Sequence, residues 1–319
     1  MRLPLLIAAG VLALPATAAA APPPNDNYLA STTIASNEYR ASVDTTEATT
    51  QPDLFNPSRD GLPLGGGDPE PTSCPNGTSF GRTAWWDFKP PSPGGVQIRA
   101  NGGFDVVVAV YTWSEQSSRI TRTVRCQNAE TGSEEILLPS VSKGTNYTIQ
   151  VGGANGAGGP LNLLFDYFPD TDGDGVLDDA GDKCPRQPGI ERFGGCPPEL
   201  RSAPRLVYSV SGTSLRITGL SIDDVPKGAR AEVTCRRCGR KVIRRATRTG
   251  TLRVNGFVGR VVPAGDRIEV RVTLGKSGKG RYRHGAVGKY YRWPIEPGKL
   301  GRKVTRCLQP GSRKPTKCG

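Results

Sequence analysis

The chain has 319 residues, with 42 lysines and arginines against 29 aspartates and glutamates and a net charge of +13. Its one histidine, His284, has no nucleophile motif beside it and reads as a solvated loop residue, which disfavours hydrolases built on a Ser–His or Cys–His pair. The charge is uneven: residues 1–200 carry 13 basic and 23 acidic side chains (−10), residues 201–319 carry 29 and 6 (+23), as expected of separate domains with different partners.

The chain opens on Met1-Arg2, an apolar run "LPLLIAAGVLAL" and the small-residue stretch "PATAAAAPPP". This is the layout of a secretory signal peptide, residues 1–20, too short for a stable membrane span. Ala16-Thr17-Ala18 and Ala18-Ala19-Ala20 both fit the small-x-small rule, which places cleavage after Ala18 or Ala20. The expectation is a secreted chain, extracellular or cell-surface associated, with no transmembrane segment. In that compartment eight cysteines read as disulfides. Their spacing favours sequential pairs: Cys74–Cys126, Cys184–Cys196, Cys235–Cys238 and Cys307–Cys318. Zinc is the competing reading for Cys235-Arg236-Arg237-Cys238, but it needs four ligands and no partner motif is evident.

Residues 23–169 begin with a Pro-rich lead-in and a stretch from Thr45 to Pro71 that reads as a long irregular arm. The runs "TAWWDFKPP", "GGVQIRA", "FDVVVAVYTW", "EEILLPSV", "NYTIQVGG" and "LNLLFDYF" follow, rich in β-branched and aromatic residues and separated by turn residues. They predict an antiparallel β-sandwich. Trp85 and Trp86 point to opposite faces on such a strand. One belongs in the core; the other is a candidate aromatic platform for a sugar ring or, more simply, a second packed aromatic.

These runs, with "PPNDNYLA" and "LPSVSKGTNYTIQVGG", resemble bacterial pre-peptidase C-terminal domains. The resemblance implies a β-sandwich with the tryptophan strand in its core. It also implies an accessory role in substrate or surface association beside a catalytic domain, and no such domain is recognisable here.

Residues 170–185, "DTDGDGVLDDAGDKCP", concentrate acid at the boundary between the halves. With Asp170 as position 1, carboxylates fall at 1, 3, 5 and 9 (Asp170, Asp172, Asp174, Asp178), glycine at 6 (Gly175) and an apolar residue at 7 (Val176). Alternate hard oxygens, a glycine for the sharp turn and the position-7 carbonyl of Val176 are the front of a calcium loop. A solvated acidic linker would not need that glycine. Position 12 is Gly181 rather than Glu, and Asp182 or Asp179 remains to complete the shell. The segment resembles a thrombospondin type 3 repeat, DxDxDGxxDxxDxC, through Asp178 and again at Asp182-Lys183-Cys184, with one extra residue between. That resemblance covers 170–198 and implies calcium as cofactor.

Residues 201–296 repeat the β texture in "RLVYSVSG", "SLRITGLS", "ARAEVTC", "KVIRRATRTG", "TLRVNGFV", "RIEVRVTLG" and "KYYRWPI". In "RIEVRVTL", Ile268, Val270, Val272 and Leu274 share one face and Arg267, Glu269, Arg271 and Thr273 the other, a half-buried strand. The tail 297–319 is too poor in apolar residues to fold alone, and Cys307–Cys318 would fix its end. The fold class expected is all-β: two β-sandwich domains joined by a short calcium-binding, disulfide-bonded linker.

The basic half invites a polyanionic partner. Its arginines alternate along strands instead of lining a helix, and aromatics interleave poorly, so no specific nucleic acid is expected. The reading is a non-enzymatic protein of the cell surface or envelope, with structural calcium and a basic half that associates with an anionic cell-envelope polymer or polysaccharide. A solvated face that binds nothing is the plain alternative for the basic half. A carbohydrate-binding or adhesion module acting through the first sandwich is the second functional reading.

Overall fold

The computed structural model describes residues 21–51, 69–114, 119–129, 132–276 and 280–318. The signal-like segment and most of the expected arm lie outside these residues. The described chain is all-β and divides into two compact units. Described residues up to Pro90, with Val96–Leu138 and Gly144–Tyr167, form the first; Pro91–Gly95, Pro139–Lys143 and the described residues from Phe168 onward form the second.

The first nine strands are β1 (Thr32–Ile34), β2 (Glu38–Asp44), β3 (Phe80–Phe88), β4 (Gly94–Gly102), β5 (Val106–Ser114), β6 (Arg119–Gln127), β7 (Ser133–Val141), β8 (Asn146–Ala154) and β9 (Pro160–Pro169), of which all but one end of β4, β7 and β9 lies in the first unit. They form a five-stranded sheet in the order β1-β3-β8-β5-β6 and a four-stranded sheet in the order β2-β9-β4-β7. Phe88 on β3 packs edge-on against Phe165 on β9, ring centres 4.7 Å apart, so this face of β3 meets the other sheet. Trp86 lies on the same face by strand alternation and is 1% exposed.

Trp85 points the other way, and it is fully buried as well. The N-terminal lead-in covers it. Trp85 N–H donates to the Asn25 carbonyl at 2.9 Å, Asn25 Nδ2 donates to the Trp85 carbonyl at 2.9 Å, and Tyr28 packs edge-on against the indole at 5.4 Å. Cys74–Cys126 ties the segment before β3 to β6. The outer face of this sheet is therefore a second apolar cluster of Tyr28, Cys74, Trp85, Val107, Ala109 and Tyr111. The aromatic-platform expectation for one tryptophan is corrected here: neither presents a ring to solvent.

The second unit holds β10 (Ala203–Ser211), β11 (Ser214–Val225), β12 (Arg230–Cys235), β13 (Arg240–Arg245), β14 (Gly250–Arg253), β15 (Val261–Val262), β16 (Arg267–Leu274), β17 (Ala286–Glu296), β18 (Lys299–Leu300) and β19 (Val304–Leu308). One sheet runs β10-β11-β14 with β15 also on β11; the other runs β13-β12-β16-β17-β18 with β19 beside β17. Leu215, Ile217 and Ile222 of β11 and Ile268, Val270 and Val272 of β16 are fully buried in one core with Trp293 and Ile295 of β17. Each such side chain stabilises the fold by about 1.5–3 kcal/mol.

The tail does more than end in a loop. Val304–Leu308 pairs with β17 over Gly288–Arg292, burying Cys307 and Leu308 at 2% and 1% exposure. All four sequential disulfides form.

Candidate metal centre and basic face

The acidic loop belongs to the second unit. Its first residue follows β9 directly, with Asp170 N–H donating to Pro93 O at 2.8 Å and Asp178 N–H to Pro169 O at 2.8 Å. The Asp170 carboxylate turns inward and gathers the amides that follow it. Oδ1 accepts from Gly173 at 2.9 Å and Asp174 at 3.1 Å, and Oδ2 from Gly175 at 2.9 Å. Folding the chain that tightly puts Gly175 at φ +92°, a conformation that side-chain-bearing residues avoid. This is the turn expected from glycine at position 6.

The turn brings one carboxylate oxygen each from Asp170, Asp172 and Asp174 within 4.8 Å of one another. Asp170 and Asp174 are buried, at 6% and 2% exposure. Asp174 Oδ1 accepts from Val176 N–H at 2.8 Å. Its Oδ2 accepts from Gly189 N–H at 2.7 Å, which ties the loop to the Cys184–Cys196 segment. Arg283, from the connection between β16 and β17, donates through Nη2 to the Asp174 carbonyl.

Asp182 is buried at 8% exposure, whereas Asp179 is exposed. Asp182 Oδ1 accepts from Cys184 N–H at 2.7 Å. A Cβ on Gly195 would sit 1.9 Å from that oxygen, so only glycine lets the chain approach Asp182 this closely. Asp182 Oδ2 and Asp172 Oδ2 are both buried without a hydrogen-bond partner among the described residues.

The electrostatics are those of crowded acid. Burial, and then the neighbouring Asp174, Asp182 and Asp170, push Asp172 up to about 6. Burial likewise raises Asp182, reinforced by Asp174, Asp178 and Asp170. A carboxylate charge is costly to bury without a counter-charge, and four such groups repel one another unless a cation or protons intervene.

Asp178 is held differently. Its oxygens accept from Thr171 N–H at 2.9 Å and Thr171 Oγ1 at 2.6 Å. Val176 is buried and its amide fixes Asp174. His284 is half-buried rather than solvated, with Nε2 buried and unpartnered among the described residues. Burial and the adjacent Arg283 lower its pKa.

Two cysteine-containing clusters also arise. Cys235 and Cys238 are joined in a disulfide beside Asp266. The Asp266 carboxylate accepts from the amides of Arg237 at 2.8 Å and Arg267 at 2.7 Å, an anion-in-turn arrangement with only one non-sulfur ligand. Glu199 beside Cys307 and Cys318 is ion-paired to Lys289.

The larger sheet of the second unit turns a basic face outward. Register places Arg230 opposite Arg245, Glu232 between Ile243 and Arg271, and Thr234 between Lys241 and Glu269. Across β17 and β19 the same face continues through Tyr290, Arg292 and Arg306. Glu232 pairs with Arg230 at 2.8 Å and Lys241 at 2.9 Å, and Glu269 with Arg267 at 2.6 Å. Arg271 lies 5.2 Å over the Tyr290 ring. Two acids set the spacing of a face on which basic groups predominate.

The chain matches no family profile and no curated protein sequence. Among solved structures it is similar to the pre-peptidase C-terminal domain of a collagenase from Bacillus anthracis, at 12% identity and a TM-score of 0.27 over 43% of this chain and 94% of that one. A GH2 β-galacturonidase from Eisenbergiella tayi follows at 7% identity and a TM-score of 0.20, covering 86% of this chain and 44% of that one. A β-glucuronidase from Ruminococcus gnavus gives 8% identity and a TM-score of 0.18, covering 87% and 45%. Likeness at this level carries no argument, and the functional reading rests on the residues themselves.

Proposed function

We propose that this is a secreted, non-enzymatic protein of the cell surface or envelope. The acidic loop takes up calcium for structural purposes, and the basic half associates with anionic polymers. The calcium reading rests on one observation: Asp172 buries an unpartnered carboxylate oxygen in the Asp170–Asp172–Asp174 cluster, and Asp182, which feels the charge of that cluster, buries another. A hard divalent cation with oxygen ligands at 2.3–2.6 Å meets both needs, neutralising the carboxylates and completing their bonds. Asp170, Asp172, Asp174 and Asp182 are the assigned side-chain ligands, with the Val176 carbonyl and Asp178 completing the set. The ion would lock the turn against the Cys184–Cys196 segment and Arg283, which already contact Asp174.

Saturating calcium at a hundred times its Kd should stabilise the second unit by about 2.7 kcal/mol, and proteolysis within 170–196 should slow. Asp172→Asn with Asp182→Asn should abolish both effects. If chelation leaves melting temperature and proteolysis unchanged, the calcium reading fails. The polymer reading is tested on the same protein: retention on anionic cell-envelope fractions should fall as salt rises, because displaced counterions drive such binding. For the carbohydrate-module reading, neither tryptophan can serve as the sugar platform, since both are buried.

A further inference from the structure

We propose, resting on the polyanion reading above, that the disulfide-closed tail converts one edge of the basic sheet into a built site for a hydroxylated polyanion. The tail folds back on itself, with Cys307 and Thr316 exchanging backbone hydrogen bonds of 2.9 Å in each direction inside the Cys307–Cys318 loop. It also lies against β16, where Arg271 Nη1 donates to the Arg313 carbonyl at 2.8 Å.

Two cavities result. One, of about 460 Å³, is lined by Arg230, Arg271 and Arg313. The other, of about 450 Å³, is lined by Lys276, Arg186 and His284. They share a wall made of Gly275 and the tail residues Gln309, Pro310 and Gly311. Each is within the size range of small-ligand sites, and together they form a track of five cations interrupted by a strip of tail.

Two features set this track apart from a diffuse basic surface. Arg313, Lys276 and Arg186 are exposed at the cavities, and the acid in the wall, Glu232, is already paired to Arg230 and Lys241. In addition, Gln309 Oε1 and His284 Nε2 are buried beside the cavities without hydrogen-bond partners among the described residues. Cations call for oxyanions; an unfilled amide oxygen calls for a donor such as a hydroxyl. The ligand class carrying both is an extended polymer with hydroxyls and regularly spaced carboxylates or phosphates. A uronic-acid polysaccharide and a polyol-phosphate polymer share that chemistry.

The test uses the full chain with polygalacturonate and poly(glycerol phosphate) as probes, and inorganic polyphosphate as the polyanion without hydroxyls. Arg186→Gln, Lys276→Gln and Arg313→Gln combined should weaken binding at least tenfold for one or both hydroxylated polymers, and the polymer affected names the source. Arg248→Gln, Arg253→Gln and Arg260→Gln combined remove the same charge from exposed positions away from the cavities and should weaken it less than threefold. Gln309→Leu, which leaves the charge unchanged, should weaken the hydroxylated polymers and spare polyphosphate. Unchanged melting temperatures show that the variants fold. Equal losses in both triple variants overturn the site while leaving general polyanion binding intact. Absence of binding by the wild-type chain to all three probes overturns the site and the polyanion reading together.

Discussion

The five-stranded sheet of the first unit and the larger sheet of the second both have a core face and an outer face, and the outer faces end in opposite states. On the first, the lead-in residues Asn25 and Tyr28 cover Trp85, and Glu70 is sealed in beside them with Thr83 and Gln150. On the second, Lys241, Arg267, Arg292 and Arg306 remain exposed. Alternation along a strand decides which side chains share a face. Whether the face becomes core or surface depends on whether another part of the chain lies over it.

The largest expected effect tests the cover. Trp85→Ala removes a fully buried indole and should destabilise the first unit by about 3–5 kcal/mol, read from chemical denaturation of the full chain. A loss near zero would mean that the lead-in does not hold against the sheet in solution.

The next effect concerns the polar part of the same covered face. Glu70 is 4% exposed and accepts from the Gln51 amide at 2.7 Å and Gln150 Nε2 at 2.9 Å. Burial outweighs these bonds and raises its pKa above the ordinary 4.5. A raised folded-state pKa contributes stability that is complete below the ordinary value and is lost as pH rises through the folded one. The wild type should therefore lose stability relative to Glu70→Gln as pH climbs from 4.5, by up to about 1.4 kcal/mol per pH unit while one proton is released. Parallel pH profiles for the two proteins would sink this assignment.

The smallest effect lies on the open face. Arg292→Gln and Arg306→Gln should each change stability by less than about 0.5 kcal/mol, while lowering the salt concentration at which the protein elutes from an anionic resin. A loss of several kcal/mol at either position would show the open face to be covered as well.

Much of this was readable from sequence. Each strand expected in the two halves forms, because each combines β-branched or aromatic residues with flanking turn signals. The front of the acidic loop was legible because its carboxylate spacing and glycine are local. The parts missed depend on distant partners. Trp85 is buried by Asn25, 60 residues away, and Arg283 reaches the Asp174 carbonyl from 109 residues away. Strand β19 has only five residues and pairs along β17, a partner that the local sequence does not announce. Nothing in the local sequence pairs Gly195 with Asp182, yet Gly195 makes the room in which the Asp182 carboxylate packs.

The order of the disulfides has a consequence for how the chain matures. The eight cysteines pair in sequence order, first with second, third with fourth, fifth with sixth and seventh with eighth. As the chain emerges N-terminus first, the intended partner is always the first thiol to arrive, and each link can close before a wrong choice becomes available. A protein with eight cysteines in random order would depend on reshuffling catalysts to correct mispairing, over seconds to hours. This one can be oxidised in register with its own synthesis, so its covalent framework should assemble correctly where an oxidant is present and an isomerase is scarce.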